Sequence, residues 1–226
     1  MKRQFIHTED GSTTLYVPAL NEHYHSIHGA IQESVHIFIH TGIEFYLRNN
    51  PPVTTLSGVN ILEAGFGTGL NAYLSFVYAE EQKIRIQYHS IEKYPLSIEE
   101  TKQLNYKAQI PAKNPDIFDE LHSCPWEREN AISPVFSLHK YRQDFREIRF
   151  ESRFDIIFFD AFNPEIQPYL WTEDVFQNFY KALKPQGILV TYCVKGIVKQ
   201  ALRKVGFTLK KLPGPPGKRE ILRAQK

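Results

Sequence analysis

The sequence predicts an α/β fold: a doubly wound, mostly parallel sheet closed by a C-terminal hairpin, with an N-terminal extension. Three observations predict it. From Val59 onward, short apolar runs alternate with segments of helical periodicity. The first run opens into a glycine-rich turn, "ILEAGFGTGLNAYL" (61–74), of the kind that leaves a strand towards a ligand. A later run, "FDIIFFD" (154–160), is apolar on both faces, as a central parallel strand must be.

Residues 1–57 read as the N-terminal extension, packing on the core. "STTLYVPALNEHYHS" carries short β-type runs, and "GAIQESVHIFIHTGIEFYL" a helix with Ile31, Val35, Phe38 and Ile39 on one face. "NNPPVT" (49–54) breaks it. Residues 58–226 form the main domain. "VNILEA" is its first strand, followed by the glycine turn and a helix to about Glu80. "IRIQYHSIE" is a second strand and "LSIEETKQLN" a second helix. Residues 105–133 contain three prolines and read as an irregular or helical insertion. "VFSLHKY" and "FDIIFFD" are the third and fourth strands. "TEDVFQNFYKAL" is a helix that buries Phe176, Phe179, Tyr180 and Leu183, with Thr172 as N-cap and Glu173 and Asp174 in its first turn. "KPQG" stops it, and "ILVTYC" is the fifth strand. "GIVKQALRKV" is a helix ended by Gly206, and "FTLKKL" with "EILRAQ" makes the closing hairpin.

Composition narrows the class. In 226 residues, 42% are hydrophobic, enough for one sizeable core. The N-terminus has no apolar signal-type region, and no stretch approaches the ~18 apolar residues of a membrane span. Cys124 and Cys193 stand far apart, which fits a reducing, cytoplasmic setting rather than a disulfide framework. His23 and His25 form an H-x-H pair without an evident third ligand, so no metal is expected. The net charge of +2 hides an asymmetry: from Lys184 onward there are eleven basic residues and one acid, Glu220, so the rest of the chain carries −8. A basic end on an acidic protein suggests a polyanionic partner.

The turn Gly65-Phe-Gly-Thr-Gly69 admits more than one cofactor. Counted from Gly67, a dinucleotide fingerprint survives in its Gly/Ala variant, with Ala72 in third place. Glu63, just before the turn, suits a cation better than a pyrophosphate. S-adenosylmethionine carries an ammonium and a sulfonium and no phosphate. Glu92 ends the next strand, where an acid accepts ribose hydroxyls. Asp144, after the third strand, is placed to accept from an adenine amino group. Asp160 ends the central strand beside the reactive position. It suits an amine acceptor, taking its N–H and steadying the charge that develops on nitrogen. Phe162 and Trp171 supply faces on which a flat substrate stacks.

"EAGFGTGLN", "IEKYPL", "FFDAFNPEIQPYLWT", "GKREIL" and, upstream, "YHSIHGAIQESVHIFI" resemble the methyltransferase part of the bifunctional MnmC tRNA-modification family and its stand-alone MnmD-type relatives. The resemblance implies a Rossmann-like class I S-adenosylmethionine-dependent methyltransferase fold. It also implies methylation of the amine of 5-aminomethyl-2-thiouridine at the tRNA wobble position, giving 5-methylaminomethyl-2-thiouridine. It puts Glu63, Gly65, Gly67, Gly69, Asn71 and Glu92 around the cofactor, with Lys93 in the same motif, and faces Asp160 to the amine. Phe162, Pro164 and Trp171 would shape the substrate pocket, and Lys218 and Arg219 its rim. The family usually has Gly where this chain has Ala161, and Asn-Pro where it has Gln167-Pro168. The flavin-dependent domain of the bifunctional proteins is not expected here, since the sequence ends at Lys226. No flavin is therefore expected, and another enzyme would supply the aminomethyl substrate. Lys195, Lys199, Arg203, Lys210, Lys211, Lys218 and Arg219 would track the phosphates of the anticodon loop. A small-amine methyltransferase, an aminopropyltransferase-like enzyme and a non-catalytic RNA-binding module are the alternatives.

Overall fold

The computed structural model describes residues 2–50 and 58–226. Strands β1 (Gln4–His7), β2 (Thr13–Val17) and β3 (Glu22–His23) form a small antiparallel sheet. Helix α1 follows as three joined sections, Ala30–Ser34, Val35–Glu44 and Phe45–Asn49, the middle one a π-helix. The wider π turns rotate the buried face away from the expected α stripe. Ile31 and Val35 are only half-buried, whereas Ile37, Ile43 and Tyr46 join Phe38 and Ile39 in the core. The break expected at 49–54 and the boundary expected at residue 57 fall mainly outside the described residues.

The main sheet has eight strands: β4 (Val59–Ala64), β5 (Ile86–Ile91), β6 (Glu129–Ser133), β7 (Phe136–Tyr141), β8 (Phe154–Phe159), β9 (Leu183–Thr191), β10 (Thr208–Pro213) and β11 (Glu220–Gln225). Their order is β10-β11-β9-β8-β4-β5-β7-β6. The five strands from β9 to β7 are parallel; β6 at one edge and the β10–β11 hairpin at the other run antiparallel. The helices between them are α2 (Leu70–Gln82), the short α3 (Ile98–Thr101), α4 (Tyr106–Gln109) and α5 (Ile117–Ser123), then α6 (Glu173–Ala182) and α7 (Gly196–Val205). This is the doubly wound, Rossmann-like arrangement that the sequence predicts, closed by a C-terminal hairpin.

Strand alternation builds a core on each face. Ile61 of β4 and Phe158 of β8 pack on the side of α1 and α2, with Phe38 and Tyr73. Leu62, Ile157 and Phe159 pack on the side of α6 and α7, with Phe176 and Val198. Thr172 caps α6 by accepting from Val175 N at 3.4 Å, and Gly206 ends α7 at φ 114°.

Three expectations need correction. The helix over 96–105 shrinks to Ile98–Thr101, held by a Ser97–Glu100 capping box. The insertion contains a strand, β6, as well as helices. "KPQG" lies inside β9, where Gln186 at φ 65° and a register shift against β8 absorb the irregularity.

Candidate active site

Strand order reverses at β4, which lies between β8 and β5, and a cavity of about 430 Å³ opens at the carboxyl ends of these strands. The glycine turn forms one wall. Gly65 has φ 97°, and a Cβ there would sit 3.1 Å from the Asp160 carbonyl, so the turn presses on the end of β8. Gly67 has φ 50°, and its N–H donates to Glu92 Oε2 at 3.0 Å. Glu92 Oε1 accepts from Tyr94 N at 2.7 Å, so two backbone N–H groups fix this carboxylate in the cavity wall. Gly69 caps α2 in the left-handed conformation and stands behind the lining.

Asp144 also lines the cavity. The Arg146 guanidinium, joined by Lys93 at 3.0 Å, holds its carboxyl well below the usual range. Of the cavity's acids, Glu22, Glu33, Glu92, Asp144 and Asp160 outnumber Arg3, Lys93 and Lys218. Each of those three cations is already paired: Arg3 with Glu100, Lys93 with Asp144, Lys218 with Glu33. Such a surface favours a cationic ligand over a pyrophosphate.

Glu63 does not reach the cavity. It is fully buried beneath it, accepts from Ser90 Oγ at 2.6 Å, and burial pushes its carboxyl up to about 8. Burial thus favours its protonated form, and the carboxyls that this part of the cavity presents are those of Glu92 and Asp160 instead. Above it, Asn71 Nδ2 donates to Asp160 Oδ2 at 2.9 Å, while Asn71 Oδ1 is buried without a partner.

Two aspartates of one strand segment differ sharply. Asp155 is saturated, accepting from Tyr46 Oη, Asn60 N and Lys184 Nζ. Asp160 accepts only from Asn71 among the described residues and faces the cavity. Burial, reinforced by the Glu33 carboxylate and opposed by Asn71 and Lys218, pushes Asp160 up to about 7.

The residues after Asp160 are pinned by hydrogen bonds. Tyr192 Oη donates to the Ala161 carbonyl, and Trp171 Nε1 to the Phe162 carbonyl, each at 2.8 Å. Phe162 lines the cavity and meets Tyr24 edge-to-face at 5.0 Å. Trp171 does not line it. Its ring is in the core against Phe159 and Phe176, so it shapes the pocket from behind. Pro164 is buried away from the lining, and Arg219 is exposed outside it. Lys218 does reach the rim.

Sequence reasoning missed Tyr24, Glu33 and Tyr192. Tyr192 stands just past β9, a position that strand order alone marks in a doubly wound sheet. Tyr24 and Glu33 come from the extension; both stand in the stretch "YHSIHGAIQESVHIFI" that carries the resemblance, which gave them no role. His23 and His25 are also in the wall. His25 Nδ1 meets Thr14 Oγ1 at 3.3 Å, and burial pulls the imidazole down to about 4, so it is neutral.

Residues 138–226 match a family model described as S-adenosyl-L-methionine-dependent methyltransferase. The chain is 28% identical over 231 residues to the tRNA 5-methylaminomethyl-2-thiouridine biosynthesis bifunctional protein MnmC of Azoarcus sp. (strain BH72), covering 96% of this chain and 34% of that protein. It is 30% identical to the MnmC of Chromohalobacter salexigens, covering 95% and 31%. The chain thus spans about a third of the length of these relatives. The crystal structure of MnmC2 from Aquifex aeolicus superposes with a TM-score of 0.78 at 27% identity, over 99% of this chain and 69% of that one. Spermidine synthase from Thermotoga maritima shares the fold at 16% identity, with a TM-score of 0.56. Over nearly its whole length the chain is thus similar to about a third of these MnmC proteins.

Proposed function

We propose that this protein is an S-adenosylmethionine-dependent tRNA methyltransferase that methylates the amine of 5-aminomethyl-2-thiouridine at the wobble position. The observation that carries it is Asp160, an under-partnered carboxylate in the cavity that the glycine turn walls. The family match over 138–226 and the relatedness to MnmC support the choice of donor and acceptor.

The cavity fits the donor. Glu92 offers a carboxylate for ribose hydroxyls and Asp144 one beyond it, although Arg146 and Lys93 already occupy part of Asp144. Gly65 and Gly67, at positive φ, hold the backbone close, and Asn71 lines the cavity with them. When bound there, S-adenosylmethionine supplies an electrophilic methyl group.

The chain's own residues do the rest. Asp160 accepts an N–H of the acceptor and takes the proton that an ammonium must lose before it attacks. A group near 7 is matched to that task at neutral pH. The backbone anchors on Ala161 and Phe162 fix its direction. Phe162 and Tyr24 offer aromatic surface to a base splayed from its loop. The anticodon loop of tRNA is the macromolecular partner, and a separate enzyme supplies the aminomethyl group.

Incubation with labelled S-adenosylmethionine and tRNA lacking only this methyl group tests the reading. Label should appear in the wobble nucleoside; its absence there, with donor binding intact, sinks the proposal.

A further inference from the structure

The β10–β11 turn and the N-terminal extension close against each other over the acceptor side of the cavity. Gly217 packs on His28 so tightly that a Cβ would overlap the imidazole ring, and His36 Nε2 meets the Pro213 carbonyl at 2.8 Å. Between these contacts lies one ion pair, Lys218 Nζ to Glu33 Oε1 at 2.6 Å. Glu33 projects from the first turn of α1, with its side chain 10% exposed. Its other oxygen accepts from Ser26 N at 2.8 Å, which fixes its direction. Lys218 also lies over the Tyr192 ring, 5.2 Å from its centroid.

Glu33, Lys218 and Asp160 all face the same cavity. An ammonium and two carboxylates therefore stand where an amine acceptor must enter, and Glu33 is the carboxylate already geared to an alkylammonium. We propose that Glu33 is a specificity-determining residue of this site: it receives the ammonium form of the acceptor amine in exchange for Lys218 and presents it to Asp160. The inference rests on the amine-methylating reading above. The proton then passes from the substrate ammonium to the Asp160 carboxylate, leaving a neutral amine and a carboxylic acid. The influence of the Glu33 charge on Asp160 is consistent with their closeness. Lys218, once displaced, keeps its charge at the rim, where the nucleic-acid backbone passes.

The exchange predicts opposite effects from its two partners. Two labelled anticodon stem-loops, carrying 5-aminomethyl-2-thiouridine or plain 2-thiouridine at the wobble position, are titrated at pH 7 with S-adenosylhomocysteine present. The affinity ratio reads recognition of the amine alone. Glu33→Gln should cut the ratio about tenfold, the scale of one lost charge-assisted hydrogen bond. Lys218→Met should raise it, since the competing ammonium is gone. Calorimetry with S-adenosylhomocysteine reports whether each variant keeps its fold. A purely structural ion pair would make both variants fall together, and that result, or an unchanged ratio in Glu33→Gln, overturns the proposal. If Glu33→Gln loses S-adenosylhomocysteine binding, Lys218→Met decides: a raised ratio supports exchange, and an unchanged or lowered one rejects it. A wild-type protein that methylates the aminomethyl loop without favouring it also overturns the role of Glu33. A wild-type protein that neither methylates nor favours it refutes the activity itself.

Discussion

The side-chain amide of Asn71 donates to Asp160 Oδ2 across 2.9 Å, tying the first turn of α2 to the end of β8. That bond favours the charged carboxylate, whereas burial opposes it and leaves the group near 7. In its proposed role of proton acceptor Asp160 must be ionised, so kcat/KM should rise with pH through about 7. Asn71→Ala removes the stabilising donor and should move this limb to higher pH. Asp160→Ala should lower kcat by roughly 10²–10⁴ while cofactor binding changes little. A pH–rate profile unmoved by Asn71→Ala would show that the titrating group lies elsewhere.

Glu63 predicts a stability effect of the opposite kind. Its carboxyl is raised from 4.5 to about 8 in the folded protein. Stability from the protonated form is thus complete below about 4.5 and is lost progressively as pH rises towards 8. Glu63→Gln keeps the shape of the neutral acid and has no proton to lose. Thermal melts between pH 5 and 9 should show the wild-type Tm falling more steeply than that of Glu63→Gln. Parallel curves would mean that Glu63 is ionised in the fold.

Much of this architecture is legible in the chain because burial leaves periodic marks. The apolar run of β8, the capped α6 and the Gly206 stop of α7 are local signals with local causes. The glycine turn and Asp160 follow from strand ends in a doubly wound sheet. The face of α1 was not legible, since residue spacing read at the α period does not show the π turns that lie against β8 and β9. Glu63 read as a charge because sequence shows an acid but not its burial. Glu33 and Lys218 come from opposite ends of the chain, and only tertiary structure brings them together.

Trp171 and Phe162 should separate structure from recognition. Trp171 is 2% exposed and holds the Phe162 carbonyl through Nε1. Trp171→Phe removes that bond and leaves a smaller ring in the core, so Tm should fall, by an amount equivalent to about 1–3 kcal/mol. Phe162→Ala acts in the cavity wall and should raise KM for tRNA, with a smaller effect on Tm. Equal loss of Tm in both variants would place Phe162 among the core residues.

The basic end is smaller as a nucleic-acid surface than its charge suggests. Lys184, Lys195, Lys204, Lys211 and Lys218 are ion-paired with Asp155, Glu165, Glu173, Glu220 and Glu33. Lys226 donates to the Tyr180 and Leu183 carbonyls, and Arg223 stacks on Phe45. Lys199, Arg203, Lys210 and Arg219 make no ion pair among the described residues, and Lys199 and Arg203 share one face of α7. These four keep their charge available for phosphates. Each should contribute about one unit or slightly less to the slope of log K against log salt for tRNA binding. Arg203→Ala and Arg219→Ala should each flatten that slope, whereas Lys184→Ala and Lys204→Ala should leave it nearly unchanged. The opposite ranking would move the tRNA path to the α6 side, where Glu173 and Lys204 meet.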